Sequence, residues 1–275
     1  MSGPRAALEA IGQLPDQEID LAGAALQLAR IDRPDADWRA AQAHLSELAR
    51  DAVALAAERT EDDCSVRAGA LAGLLVGRYR YEGDAEHYDD LANANLIDVI
   101  ARRRGMPVAL GILWLHCARA AGWDAHGVDF PGHFLIALAG GGTHLLLDVF
   151  AGGLPMDARE LRGLIKRVEG PKAELRPDLL QPLSARGVLL RLQNNIKVRR
   201  MDAGDFAGAL EGLEDMLRIA PDESRLWREA AQVNQKLDRV GAALRCFERF
   251  LELVPQGGAA ARVRIAMDEL RSRLN

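Results

Sequence analysis

Residues 105–148 read GMPVALGILWLHCARAAGWDAHGVDFPGHFLIALAGGGTHLLLD, and their periodicity changes once along the way. Pro107 starts a helix that runs through Ala121, because proline is well tolerated at the first helical position, and Gly122 ends it. Segments 125–130, 133–139 and 143–150 follow, joined by Pro131-Gly132 and Gly140-Gly141-Gly142. Short apolar runs with such punctuation predict a small antiparallel sheet with a glycine hairpin. A two-residue turn at Gly140-Gly141 sets His133 directly opposite Asp148, hence on one face of that sheet. A three-residue glycine loop would shift the register by one unless a bulge absorbed the extra residue.

Upstream the pattern is helical. Apolar spacing predicts helices over 16–31, stopped by Pro34, and over 37–59, 66–79 and 91–104, the last capped by Gly105. Residues 80–90, RYEGDAEHYDD, read as a polar loop. Downstream, 157–168 returns to helix, and a stretch with Pro171, Pro177 and Pro182 reads as a linker over 171–184.

Beyond Ser184 the chain repeats itself. Ala209 and Ala243, Leu210 and Leu244, Leu213 and Phe247, Leu217 and Leu251, and Pro221 and Pro255 are each 34 residues apart. That period in an all-helical pattern is the signature of tetratricopeptide hairpins. The second unit carries Trp227, Ala243, Phe247 and Pro255, and the first, with Gln193 in place of tryptophan, keeps Gly204, Phe206, Ala209 and Pro221. A last helix over 259–274 is expected to cover the exposed end. Two repeats are fewer than the about three a self-sufficient solenoid needs, so the tail is expected to pack against the N-terminal domain.

The bulk properties exclude several classes. A net charge of -5 gives no general attraction to nucleic acid or anionic lipid. The longest apolar stretches, such as 110–118, fall well short of a membrane span, and the first twenty residues lack the pattern of a signal peptide. Cys64, Cys117 and Cys246, odd in number and far apart, form neither a disulfide framework nor a zinc spacing. A reducing, cytoplasmic setting is expected, with no cofactor, no metal and no membrane.

The segment 105–148 resembles the transglutaminase-like superfamily, related in architecture to papain-type thiol enzymes. In that pattern a glycine and a cysteine open a helix, and a histidine and an aspartate follow on neighbouring strands. A cysteine at a helix N-terminus is held as thiolate, while histidine and aspartate supply the base and its orienter. Laid on the pattern, Pro107 falls at the cysteine position, His133 at the histidine and Asp148 at the aspartate. Proline has no nucleophile, and Val108 and Ala109 offer none beside it. Cys117 lies ten residues along the helix, about 15 Å away, on the stripe of Leu110, Leu113, Trp114 and Ala121. It reads as a buried structural thiol.

Asn93-Ala94-Asn95-Leu96, Arg102 to Pro107, Gly127 to Phe134 and Asp148 to Gly153, followed by the repeats, resemble the bacterial Sir-B family, whose members are described as regulators of sirC expression. The resemblance implies an α+β, mostly helical protein: a helical N-terminal region plus transglutaminase-like core over 1–170, the linker 171–184, and repeat hairpins with a capping helix over 185–275.

Each notable residue carries a plainer reading beside the functional one. His133 and Asp148 form either a relic binding site or a satisfied polar pair. Asn93 lines the cleft or caps a helix. Arg102 to Arg104 read as cations complementing a helix dipole rather than as a nucleic-acid patch. His87, Asp89 and Asp90 read as a solvated loop rather than a metal site. In the tail, the repeat phase places Arg191, Asn194 and Val198, then Arg225, Arg228, Gln232, Gln235 and Lys236, toward the groove. Basic and amide side chains there suit a protein or peptide partner, an acidic one in particular. The expectation is a non-catalytic interaction or regulatory protein. The competing expectation is a hydrolase or acyl-transferase working through His133, Asp148 and an activated water.

Overall fold

The computed structural model describes residues 3–59 and 61–272. Contacts divide the chain into two compact units, Pro15–Leu192 and Met1–Leu14 with Gln193–Asn275. This division differs from the boundaries read in the sequence at both ends. The N-terminal helix α1 (Pro4–Gly12) goes with the repeats, and the proline-rich stretch goes with the sheet.

In the larger unit, Asp20 caps α2 (Leu21–Asp32) and Asp37 caps α3 (Trp38–Ala57), each carboxylate accepting a backbone N–H three residues on. Asp63 does the same for α4 (Cys64–Ala72). The helix expected to continue to 79 changes instead to a π-helical turn over Gly73–Arg78, where the Tyr79 amide reaches the Leu74 carbonyl at 3.0 Å. The loop 80–90 holds β1 (Glu82–Gly83), which pairs in parallel with β2 (Arg104–Gly105).

The helix expected over 91–104 is broken. A 3-10 turn at Leu91–Asn93 precedes α5 (Leu96–Arg102), whose first amides are capped by Asn95. Its end is Arg103, at φ 60°, rather than Gly105. The Arg103 guanidinium donates to the Tyr81 hydroxyl and to His44, each at 2.5 Å, which holds a non-glycine residue in the left-handed region.

Helix α6 (Pro107–Ala120) is almost wholly buried. The five-stranded sheet has the order β6-β5-β4-β3-β7, all antiparallel, from β3 (Ala125–Phe130), β4 (His133–Gly140), β5 (Thr143–Asp148), β6 (Leu154–Pro155) and β7 (Pro182–Leu183). The proline-rich stretch is therefore no free linker. Pro182, lacking an N–H, sits on an edge strand, where a ladder hydrogen bond is not required on the outer side.

The sheet has helix on both sides. Phe134 faces α6 across Gly111, where a Cβ would stand 2.3 Å from its ring. Leu135 and Ala137 instead pack with Val128 and Phe130 on Leu161, Leu164 and Ile165 of α7 (Ala158–Glu169). A reciprocal Asp157/Glu160 capping box starts α7.

The other unit takes the last part of α8 (Ala185–Asp202), then α9 (Phe206–Ile219), α10 (Ser224–Lys236), α11 (Val240–Leu253) and α12 (Gly258–Ser272). The expected last helix is seen to Ser272, and its predicted residues 273–274 lie outside the described ones. Ala231, Ala243, Phe247, Phe250, Val263 and Met267 form a shared core. Support for the short array also comes from α1, which packs on α9 with Leu8 fully buried. Arg5 bonds the buried Asp215 at 3.1 Å, and Gly12 lies where a Cβ would meet the Arg218 carbonyl at 2.2 Å.

Candidate functional site

The β4–β5 hairpin decides where His133 and Asp148 meet. Gly140 pairs with Thr143, and Gly141 and Gly142 take φ of 59° and 75°, the left-handed pair a type I′ turn requires. The turn thus lies one residue later than the sequence reading placed it, and the pairing moves by two. Parity is kept, so His133 and Asp148 are diagonal rather than direct neighbours, still on one face. By the same alternation that face is the one covered by α7, opposite Phe134.

The imidazole is held at both nitrogens. His133 Nε2 lies 3.2 Å from Asp148 Oδ2, and Nδ1 lies 3.1 Å from the Gly132 carbonyl. Two acceptors facing two ring nitrogens favour the doubly protonated ring. The hydrogen bond to Asp148 accordingly raises the His133 pKa, against opposing burial and the nearby Arg167. Burial works to raise the Asp148 pKa, but the His133 bond and the amides of Phe150 and Ala151, at 3.0 and 3.2 Å from Oδ1, outweigh it and hold the carboxylate below its ordinary range.

Pro107 is buried at the start of α6. The preceding turn is fixed by a polar network: the Met106 amide donates to the Asn93 carbonyl at 3.0 Å, and the fully buried Asn93 donates from Nδ2 to the His87 carbonyl at 2.7 Å. Arg102 reaches Asn93 Oδ1 at 3.3 Å and the buried Asp84 at 2.7 Å, while Arg104 pairs with Glu82 at 2.7 Å. Asn93 is therefore a brace, neither a cleft residue nor a cap. The three arginines each hold the 81–93 segment rather than merely complementing a helix dipole. Gly83, cross-strand from Gly105, meets the Phe150 ring, which brings the start of α6 close to the residues just after Asp148.

The two thiols of this unit stand elsewhere. Cys117 is buried, and burial pushes its pKa up to about 12. Cys64 opens α4 with Sγ 3.5 Å from Thr143 Oγ1 at the hairpin tip. Strand β4 has eight residues, His133 at one end and Gly140 at the tip, roughly 23 Å at about 3.3 Å per residue. Among the described residues no group of three His, Cys, Asp or Glu is placed to hold a metal ion, and no helix is long and apolar enough to cross a membrane.

In the repeat unit a groove of about 700 Å³ opens between α8 and α10. Val198 and Met201, 41% and 37% exposed, provide apolar surface with Leu213 and Val233. Gln232, Gln235 and Lys236 line its polar side. Lys197, only 6% exposed, is paired with Glu229, which Arg225 also approaches at 3.8 Å. Asn194, Arg225 and Arg228 do not line this groove, and Arg191 pairs with Asp129 of β3 at 2.9 Å. The sequence reading missed Lys197, Met201 and Glu229. Met201 and Lys197 follow Asn194 and Val198 at helical spacing, a signal that a phase count over a longer window contains.

These features define a transglutaminase-like domain followed by tetratricopeptide helices. The model of the Transglutaminase-like superfamily matches residues 39–194, more than half of the chain, and a Tetratricopeptide repeat model matches 196–268. The chain belongs to the transglutaminase-like superfamily. It is similar to a UPF0162 protein of Xylella fastidiosa (strain Temecula1), 28% identical over 251 residues covering 89% of this chain and 88% of that one. A UPF0162 protein of Vibrio cholerae is 28% identical over 262 residues, 94% of this chain and 96% of its own. A crystal structure of menin covers 92% of this chain and 70% of its own at a TM-score of 0.43 and 10% identity, too low to transfer anything.

Proposed function

We propose that this chain is a non-catalytic interaction or regulatory protein: a degenerate transglutaminase-like scaffold joined to helical repeats whose groove takes a peptide or protein. The observation that carries it is the state of the triad positions. The nucleophile position is a buried proline, and the imidazole is tied to two acceptors. With both nitrogens facing acceptors, the ring turns no free lone pair toward a substrate, as the general base of acyl transfer must. The groove, with Lys236 on its polar side and Val198 and Met201 exposed, suits an acidic segment carrying an apolar residue. The three free cysteines fit a cytoplasmic setting. The Sir-B resemblance agrees with a regulatory role, and the two UPF0162 relatives named above are bacterial.

The test is capture of partners by the full chain, compared with a Lys236→Glu, Met201→Asp double variant, alongside an amide and ester turnover panel. Partners lost in the double variant, with no turnover, are the expected result. Turnover abolished by His133→Ala would instead establish the water-activating hydrolase reading.

A further inference from the structure

A second cavity, of about 310 Å³, lies within the larger unit between α2, α6, the start of β3 and the start of α8. Its volume is at the low end for ligand sites, which limits an occupant to one or two amino-acid residues or a molecule of that size. Four elements contribute polar groups to it: Asp16 and Asp20, His116 and Arg119, His126, and Ser184.

These groups are not equally available. Asp16 is used up by the fold, since its two oxygens accept the amides of Ala185 and Arg186 at 2.8 and 2.9 Å. Asp20 accepts the Gly23 amide through Oδ1 at 3.1 Å, which leaves an exposed carboxylate oxygen. Arg119 donates from Nη1 to the carbonyl of Ile19, the residue before Asp20, at 2.7 Å and keeps further N–H groups in hand. His116 donates from Nε2 to the Leu45 carbonyl at 2.9 Å. His126 is half-buried and flanked by His144.

The wall adds backbone. Strand β7 pairs with β3 only at Gly127 and Val128, so the outer edge at Ala125 and His126 is left uncovered by β7 and opens on the cavity. The floor is apolar, from Leu21, Leu115 and Val188, all buried. A cation and an anion lining one cavity, with an apolar floor and a strand edge that β7 leaves uncovered, match an α-amino-acid unit. The geometry points to a binding site for a zwitterion with an aliphatic side chain, its carboxylate on Arg119, its ammonium on Asp20 and its side chain on the floor. A free amino acid and a dipeptide share this chemistry. The site is independent of the repeat groove.

Calorimetric titration of the full chain with leucine, alanyl-leucine, N-acetylleucine and leucinamide tests it. Leucine or alanyl-leucine is expected to bind saturably, the one that does so identifying the source. Removing the ammonium of that ligand by acetylation, or its carboxylate by amidation, is expected to weaken binding about tenfold or more, as for loss of a charged hydrogen bond. Asp20→Asn keeps a competent helix cap and is expected to weaken binding to the same degree, as is Arg119→Gln. If Arg119→Gln perturbs the circular dichroism, Asp20→Asn decides. Absence of saturable binding by both leucine and alanyl-leucine overturns the assignment. So does equal binding of the blocked compounds, or wild-type affinity in Asp20→Asn.

Discussion

Gly153 of the larger unit and Gly204 of the repeat unit both have positive φ but are held for different reasons, and the contrast shows what each place has been built to keep. In the transglutaminase-like unit, several glycines lie where another group presses on the backbone. Gly111 lies under Phe134, Gly83 under Phe150, and Gly153 combines φ of +84° with a Trp114 ring that would stand 2.2 Å from a Cβ. In the repeat unit Gly204 also has positive φ, +78°, but nothing lies within 4 Å of its Cβ position. At Gly153 the backbone is fixed by contact. At Gly204 only the turn is required, and the same unit leaves a groove with apolar side chains exposed.

The sharpest way to break this contrast is a matched pair of substitutions. Gly153→Ala is expected to lower stability by about 3 kcal/mol or more, since overpacking adds to left-handed strain. Gly204→Ala is expected to cost only about 1–2 kcal/mol, from backbone strain alone. Urea denaturation of both variants measures the difference, and equal losses would show that Trp114 yields and that the contrast is not one of packing.

The braced turn before Pro107 gives the next test. Asp84→Ala removes the partner of Arg102 and is expected to cost about 2 kcal/mol, below the range for a fully buried pair because Arg102 is partly exposed. Burial works to raise the Asp84 pKa, yet the His87 amide, His87 and Arg102 hold it below the ordinary carboxylate range. Its contribution is therefore present above the unfolded value of 3.8 and lost as pH falls through the lowered folded one. An Asp84→Ala variant as stable as the wild type would mean that the 81–93 segment does not brace α6.

Much of this was legible in the sequence for a stated reason. The 34-residue period survives because each hairpin packs on the next through the same positions, so Ala209/Ala243 and Leu213/Phe247 recur. The helix at Pro107 and the three strands after it carry local signals, proline at the start and glycines at the turns. What escaped lacks such signals. The β1–β2 pairing joins residues 22 apart through two pairs only, and β7 reaches β3 from more than 50 residues away. Which α9 surface α1 covers depends on Arg5 meeting Asp215, a contact across 210 positions. The His133–Asp148 pair was legible because strand parity tolerates a two-residue slip, whereas Arg191 was misassigned because the repeat phase says nothing about Asp129.

The smallest expected effect bears on the site itself. If the imidazole is held charged, the pair stabilises the fold only while both members are ionised. The raised pKa of His133 means its contribution is fully present below the unfolded value of 6.5 and is lost as pH rises through the folded value. The lowered pKa of Asp148 means its contribution is present above 3.8 and is lost as pH falls through its folded value. The difference in melting temperature between wild type and His133→Gln is therefore expected to be greatest between 3.8 and 6.5 and to shrink on the alkaline side. The stability difference behind it should stay under about 1 kcal/mol, because the imidazole is partly exposed. A difference that grows above neutral pH would show a neutral ring with a free nitrogen lone pair, which is the form a general base requires, and would move the site toward the hydrolase reading.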